Sequence, residues 1–135
     1  MSREVLIHVR RGDEFLVAHR SPPGGSYWHA IAGGVEPGEE WEAAARRELH
    51  EETGLTAGAL EPLGEFSYTP DAWELELPRR RIGVSVHVQA FLVDAAPGWE
   101  PKLDHEHDDY RWLPREEAIA LLFWPEPAAL LRALP

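Results

Sequence analysis

A mixed β-sheet covered by helices, an α+β domain, is the fold class that this 135-residue sequence predicts. Three observations lead there. The length suits one ordinary domain with a real core and is too short for two, so residues 1–135 are expected to form a single domain. Segments of strand character outnumber those of helical period. The two kinds do not alternate regularly, which argues against a doubly wound parallel sheet.

The elements follow in order. Val5–Val9 and Glu14–Arg20 are apolar runs flanking Gly12-Asp13, the pattern of a β-hairpin. Ser21–Ser26 (SPPGGS) is a loop, and Tyr27–Gly34 (YWHAIAGG) is one short strand running into glycines. A helix is expected from Glu40 to Thr53, opened by the Pro37-Gly38 turn and closed by Gly54 just past the last periodic residue. Residues 58–69 read as a strand interrupted at Pro62, and residues 70–81 as a hairpin arm or loop. Ile82–Val93, rich in valine and alternating in part, is the strongest strand. A short strand at Tyr110–Leu113 comes next, then Pro114, which suits the opening of a helix over Arg115–Phe123. A last helix is expected over Glu126–Leu134.

Composition bounds the chemistry. The chain is 44% hydrophobic and 27% charged, as a soluble globular protein is, and it has no cysteine. Disulfides and thiolate metal sites are therefore excluded, and any metal must be held by oxygen or imidazole. No run approaches the roughly 20 apolar residues of a membrane span. The N-terminus carries charge within its apolar run and lacks a small-residue cleavage site, so it does not read as a signal peptide, and a cytoplasmic protein is expected. The net charge of -11 disfavours attraction to a nucleic-acid backbone. A local cluster of carboxylates, by contrast, gathers cations, and a cation can join an acidic protein to an acidic substrate.

Such a cluster lies at Arg47–Leu55 (RELHEETGL). A helix advances about 100° per residue, so Glu48, Glu51 and Glu52 project over one patch, while Ala45 and Leu49 on an adjoining stripe can anchor the helix to a core. Arg47 pairs with Glu51 at i+4, worth about 0.2–0.5 kcal/mol, and one arginine cannot neutralise three glutamates. Mg²⁺ would answer the crowding, since it is a hard ion that takes oxygen ligands and keeps positions open for phosphates. The other reading of these residues alone is a solvated acidic helix face.

The surroundings narrow that choice. Gly33, Glu39 and the run Arg47-Glu48-Leu49-His50-Glu51-Glu52-Thr53-Gly54-Leu55 stand at the spacing G-x5-E-x7-R-E-U-x-E-E-x-G-U, with U aliphatic. This resembles the signature of the Nudix hydrolases at every specified position. The resemblance implies the Nudix fold, an α/β/α sandwich. It also implies hydrolysis of a diphosphate linked to another moiety, usually a nucleoside, by water attack on phosphorus with Mg²⁺ or Mn²⁺. By position it makes Glu48 and Glu52 metal ligands, Glu51 a third ligand or the water-activating base, and Arg47 a residue that orients a neighbouring carboxylate. Glu39 would hold the loop to the helix. Gly33 and Gly34 would let the backbone approach an ion or phosphate, and the Ala32 carbonyl would be a further ligand.

Farther along, Glu106-His107-Asp108-Asp109-Tyr110-Arg111-Trp112-Leu113 resembles a segment of the dihydroneopterin triphosphate pyrophosphatase group within that family, whose glutamate binds metal. Glu106 is the matching residue. His105 and His107 raise the rival of a His-x-His zinc site. By the same likeness Arg20 would contact phosphate, with a plain surface role as the alternative, and Trp28 would line the substrate pocket, with core packing as the alternative. Phe66, Tyr68 and Trp73 are candidates to stack on a base, with core packing as the alternative, and Arg79–Arg81 is a dense basic spot that either meets a phosphate or ends a hairpin in solvent. The expected substrate is a small nucleoside or pterin polyphosphate. Dinucleoside polyphosphates, ADP-ribose or nucleotide sugars are the alternative, and a module that binds without turnover is a third reading. The apolar stretch 118–124 (AIALLFW) is a candidate homodimer face or part of the core.

Overall fold

The computed structural model describes residues 2–22, 25–69 and 85–135. The readings made for Trp73, Arg79–Arg81 and the start of the strand at Ile82 lie outside these residues. Seven strands and three helices are present among the described residues, in the order β1 (Ser2–Arg11), β2 (Glu14–Arg20), β3 (Trp28–His29), β4 (Ile31–Gly34), α1 (Trp41–Thr53), β5 (Glu61–Tyr68), β6 (Val86–Asp94), β7 (His107–Pro114), α2 (Arg115–Leu121) and α3 (Pro125–Arg132).

β1 organises the sheet. Along one edge it pairs in parallel with β6, from Ser2 opposite Val86 to Arg10 opposite Asp94. Its other edge is shared. Near the hairpin, where Gly12 takes φ +61°, it pairs antiparallel with β2. From Glu4 to Ile7 it pairs instead with β4. β2 carries β3 and β7, and β5 closes the far side against β6. The sheet is therefore mixed, as the absence of regular alternation predicts.

Both faces are covered. The alternating Val5, Ile7 and Val9 join Ile31, Phe91 and the α1 residues Ala44, Ala45 and Leu49 in one core. Phe15, Val17 and Leu92 pack on the opposite face against Ala118 and Leu122 of the α2 region and Ala128 and Leu131 of α3. Helices on either side of one sheet make the α/β/α sandwich. No helix among the described residues is long and apolar enough to cross a membrane.

Several elements differ from the sequence expectation. The single strand at Tyr27–Gly34 is two strands, broken at Ala30, because β3 pairs with β2 while β4 pairs with β1. β5 runs through Pro62, and the ladder absorbs it by a register shift between Pro62 and Gly64, since proline has no N–H to donate. α2 ends at Leu121, two positions short of Phe123, and α3 opens earlier, at Pro125. In the stretch read as a dimer face or core, Ala118 and Leu122 are core and Phe123 is exposed.

One buried polar group ties β1 to α3. His8 is 1% exposed and its Nε2–H donates to the Pro127 carbonyl at 3.0 Å. Burial lowers its pKa from 6.5 to about 4. Between those values the unfolded chain binds the proton and the folded chain does not. Stability is therefore full above pH 6.5 and falls as the pH drops toward 4, by up to about 3 kcal/mol from this residue at about 1.4 kcal/mol per unit. Urea unfolding between pH 7.5 and 4.5 should show this loss in the parent and a shallower one in His8→Gln; equal acid slopes would contradict it.

Candidate metal and active site

The helix α1 is pinned by its small and apolar residues, and that pinning decides where its acids go. Ala44, Ala45 and Leu49 are wholly buried against the sheet. Glu48 and Glu52, adjoining that stripe one turn apart, are turned inward with it and are 5% and 1% exposed. Glu51 sits at the rim, its side chain 56% exposed. A solvated acidic face does not describe this arrangement, because two of the three acids have left water. The helix ends as expected, with Gly54 at φ +81° and its N–H donating to the His50 carbonyl at 2.9 Å.

Glu48 occupies space that Gly33 leaves open, and a methyl group on Gly33 would overlap the Glu48 carboxylate. Gly33 has no positive φ, so room for Glu48 is what requires the glycine. Arg47 binds the loop and the helix together. Its Nε and Nη2 donate to the two oxygens of Glu39, both at 2.9 Å, its Nη2 to the Gly34 carbonyl at 2.9 Å, and its Nη1 to Glu48 Oε1 at 3.0 Å. The fork on Glu39 holds that carboxyl at about 2, assisted by the Glu36 amide, and raises the Arg47 guanidinium further above its ordinary value. Glu39 is thus the brace of the loop, and Arg47 the orienter of Glu48. The i+4 contact to Glu51 is the longest of the set, at 3.5 Å.

Glu52 faces the opening of β7. His107 Nε2 lies 3.8 Å from Glu52 Oε1, and His107 Nδ1–H donates to Asp104 Oδ1 at 3.1 Å. Burial holds the His107 pKa below its ordinary value, against the opposing pull of Asp104. Asp104 also accepts the Glu106 amide at 3.2 Å, which fixes the turn into β7. Donor atoms of Glu52, Asp104 and His107 all fall within 4.8 Å of one another. His105 does not join them; it is exposed, and its carbonyl accepts the Ser21 hydroxyl at 3.0 Å.

Glu106 meets Arg20, Oε1 to Nη1 at 3.8 Å, with both side chains largely covered. Trp28 packs at the sheet margin, with the Arg111 guanidinium 4.7 Å from its ring centre and the His19 ring 5.0 Å away. Ala32 borders a cavity of about 200 Å³ on the α3 side of the sheet, walled by His29, Phe66, Tyr68 and Trp124 among others. Tyr68 donates its hydroxyl to Glu4 at 2.9 Å on that wall. One strand thus serves both places, since Gly33 admits Glu48 on one face of β4 while Ala32, its neighbour, lines the cavity. Of the residues singled out in the sequence, Glu48, Glu52, Gly33, Gly34 and Arg47 converge, while Trp28 stands apart from the cavity. Asp104, Trp124, Glu4 and His29 were not singled out. Only Asp104 carried a local signal, as an Asx residue two positions before Glu106 and three before His107.

The donor set fits a hard divalent ion. Oxygen atoms of two buried carboxylates lie one helical turn apart, and Arg47 is committed to Glu39 and Glu48.

Comparison with known proteins agrees with this geometry. Residues 2–134 match the model of the NUDIX domain. The chain is 45% identical over 134 residues to the NAD-capped RNA hydrolase NudC of Haemophilus influenzae, covering 96% of this chain but 45% of that protein. It spans less than half of that relative's length. It is 34% identical over 119 residues to the asymmetrical bis(5'-nucleosyl)-tetraphosphatase of Sus scrofa, covering 88% of this chain and 76% of that one. The structure of the E. coli dihydroneopterin triphosphate pyrophosphohydrolase superposes with a TM-score of 0.81 at 20% identity, over 96% of this chain and 92% of that one, which is agreement of fold. A signature helix with Glu48 and Glu52 buried, a sheet sandwiched by helices and a domain match over almost every residue together make this chain a member of the Nudix hydrolase family.

Proposed function

We propose that the chain is a divalent-metal-dependent pyrophosphohydrolase acting on a nucleoside triphosphate or dihydroneopterin triphosphate. The observation that carries this reading is the pair Glu48 and Glu52, buried on one helix turn beside Gly33, with an aromatic-walled cavity bordered by the adjacent Ala32. Glu48 and Glu52 would hold the ion, Mg²⁺ or Mn²⁺, and Glu51, Glu106 and the Ala32 carbonyl are the further oxygen donors. When bound, such an ion offsets phosphate charge and makes a coordinated water more acidic. The chain's own residues do the rest. Arg47 fixes Glu48 and the Gly34 carbonyl in one geometry, which is the positioning that phosphoryl transfer depends on. Glu51, at the rim, would serve either as a third ligand or as the carboxylate that takes a proton from water and returns it to solvent. Arg20 offers a guanidinium for phosphate, and the cavity walls Phe66, Tyr68 and Trp124 offer faces for a ring. Water attacks phosphorus, one phosphoanhydride P–O bond breaks, and the proton leaves through the base.

Dinucleoside polyphosphates are the second reading, favoured by the 34% identity to the tetraphosphatase over 76% of its length. ADP-ribose, nucleotide sugars and capped RNA ends carry the same bond. The experiment is a panel of these compounds with Mg²⁺ or Mn²⁺ and products identified by mass. Pyrophosphate with a monophosphate from a triphosphate is the expected result. Turnover confined to dinucleoside polyphosphates would favour the second reading, and tight nucleotide binding without product at any divalent ion would leave only a binding module.

A further inference from the structure

We propose that His8 is a positioning residue for the ring end of the substrate: its imidazole holds the first turn of α3, and with it one wall of the cavity, at a fixed distance from the sheet. The inference rests on the reading of that cavity as the place where the ring binds. Three observations carry it. First, His8 joins the two sides of the cavity. Leu6 of β1, Ala32 of β4 and Val88 of β6 line it from the sheet, and Trp124, Pro125 and Pro127 line it from the opening of α3. His8 stands two positions beyond Leu6, on the same face of β1. Its Nε2–H donates to the Pro127 carbonyl at 3.0 Å. Second, the opening of α3 is poor in donors. Pro125 and Pro127 have no N–H, and the cap residue Trp124 makes no side-chain cap bond. Pro127 can only accept, and His8 is the donor that reaches it. Third, the bond is made at a cost. His8 is 1% exposed, and its Nδ1 has no hydrogen-bond partner among the described residues. With the proton on Nε2, that nitrogen is an acceptor left unmet in a dry interior, which a leucine or methionine of similar volume would avoid. Stability alone does not account for a histidine here, whereas the directed bond to α3 does.

The placement also says which kinetic constant moves. Helix α1, with Glu48 and Glu52, packs on one face of the sheet, and α3 packs on the other. A wall released on the α3 side loosens the grip on the ring and leaves the carboxylates where they are. Binding that is equal in the ground and transition states is what such a wall supplies, and its loss raises KM with kcat unchanged.

The test uses the full chain at pH 7.5 and the nucleoside triphosphate that the parent turns over. Inorganic tripolyphosphate, which has no ring, is read beside it as a competitive inhibitor. His8→Leu should raise KM on the order of 10-fold with kcat within about 2-fold of the parent, and the inhibition constant of tripolyphosphate should not move. His8→Gln, whose amide can donate to the same carbonyl, should bring KM back to within about 3-fold of the parent. A purely structural role would move the ring-bearing and ring-free compounds together. His8→Met is the second apolar variant, and failure of both apolar variants to fold would make His8 structural and overturn the inference. A parental KM in His8→Leu, or a parallel loss for tripolyphosphate, overturns it and leaves the proposed function standing. A parent that turns over no ring-bearing triphosphate overturns the reading of the cavity and this inference together.

Discussion

Glu52→Gln is expected to lose on the order of 10³-fold in kcat, the scale of about 4 kcal/mol of transition-state charge stabilisation supplied through a metal ligand. The substitution keeps shape and removes one charge at a side chain that is 1% exposed. Glu48 lies one turn away at 5%, so the two acids repel across a short, poorly solvated path. In the presence of a chelator the variant should unfold at a urea concentration close to the parent's, because glutamine keeps the volume of the buried side chain. With a divalent ion present, the parent should gain stability by mass action and the variant should gain less. Steady-state kinetics and urea unfolding with and without metal check both halves. Near-parental turnover would remove Glu52 from the metal site, and a loss of stability in chelator comparable to the loss of activity would make its role structural.

The features behind that prediction were unevenly legible in the sequence. The bounds of α1 were, within one residue at its start and at its end, because a 3.6-residue apolar period and a left-handed glycine are local properties. The convergence of Arg47, Glu48, Gly33 and Gly34 was legible only through the spacing of the signature. Periodicity alone left open a solvated acidic face, and what excludes it is the burial of Ala44, Ala45 and Leu49, a tertiary fact. The break at Ala30 was not legible. The strand pattern is continuous there, and the change is one of partner, from β2 to β4, which the chain's own alternation does not record. His107 was visible as half of a His-x-His pair, yet His105 lies exposed in the turn before β7, while His107 opens the strand and faces Glu52, 55 positions earlier in the chain. The cavity has the same character. Ala32, Phe66 and Trp124 come from β4, β5 and the cap of α3, and no local signal marks Trp124 as a wall of it.

Gly33→Ala should cost on the order of 10²-fold in kcat/KM with little change in fold. The backbone at Gly33 is not in the left-handed region, so alanine meets no conformational penalty there. Its methyl would overlap the Glu48 carboxylate. That carboxylate is the end of a flexible side chain, so the side chain moves before the strand does. Arg47, bonded to Glu48 Oε1 at 3.0 Å and to the Gly34 carbonyl at 2.9 Å, limits where it can go. A shift of about 1 Å in a group that positions the reacting centre is enough for a loss of that size. If the loss passes through Glu48, it must not add to the loss from Glu48→Gln, and the double variant should be little worse than Glu48→Gln alone. Gly58→Ala is the control, since a methyl there meets nothing within 4 Å and the backbone has no positive φ. Additive losses in the double variant, or parental kcat/KM in Gly33→Ala, would mean that the glycine serves something other than room for Glu48.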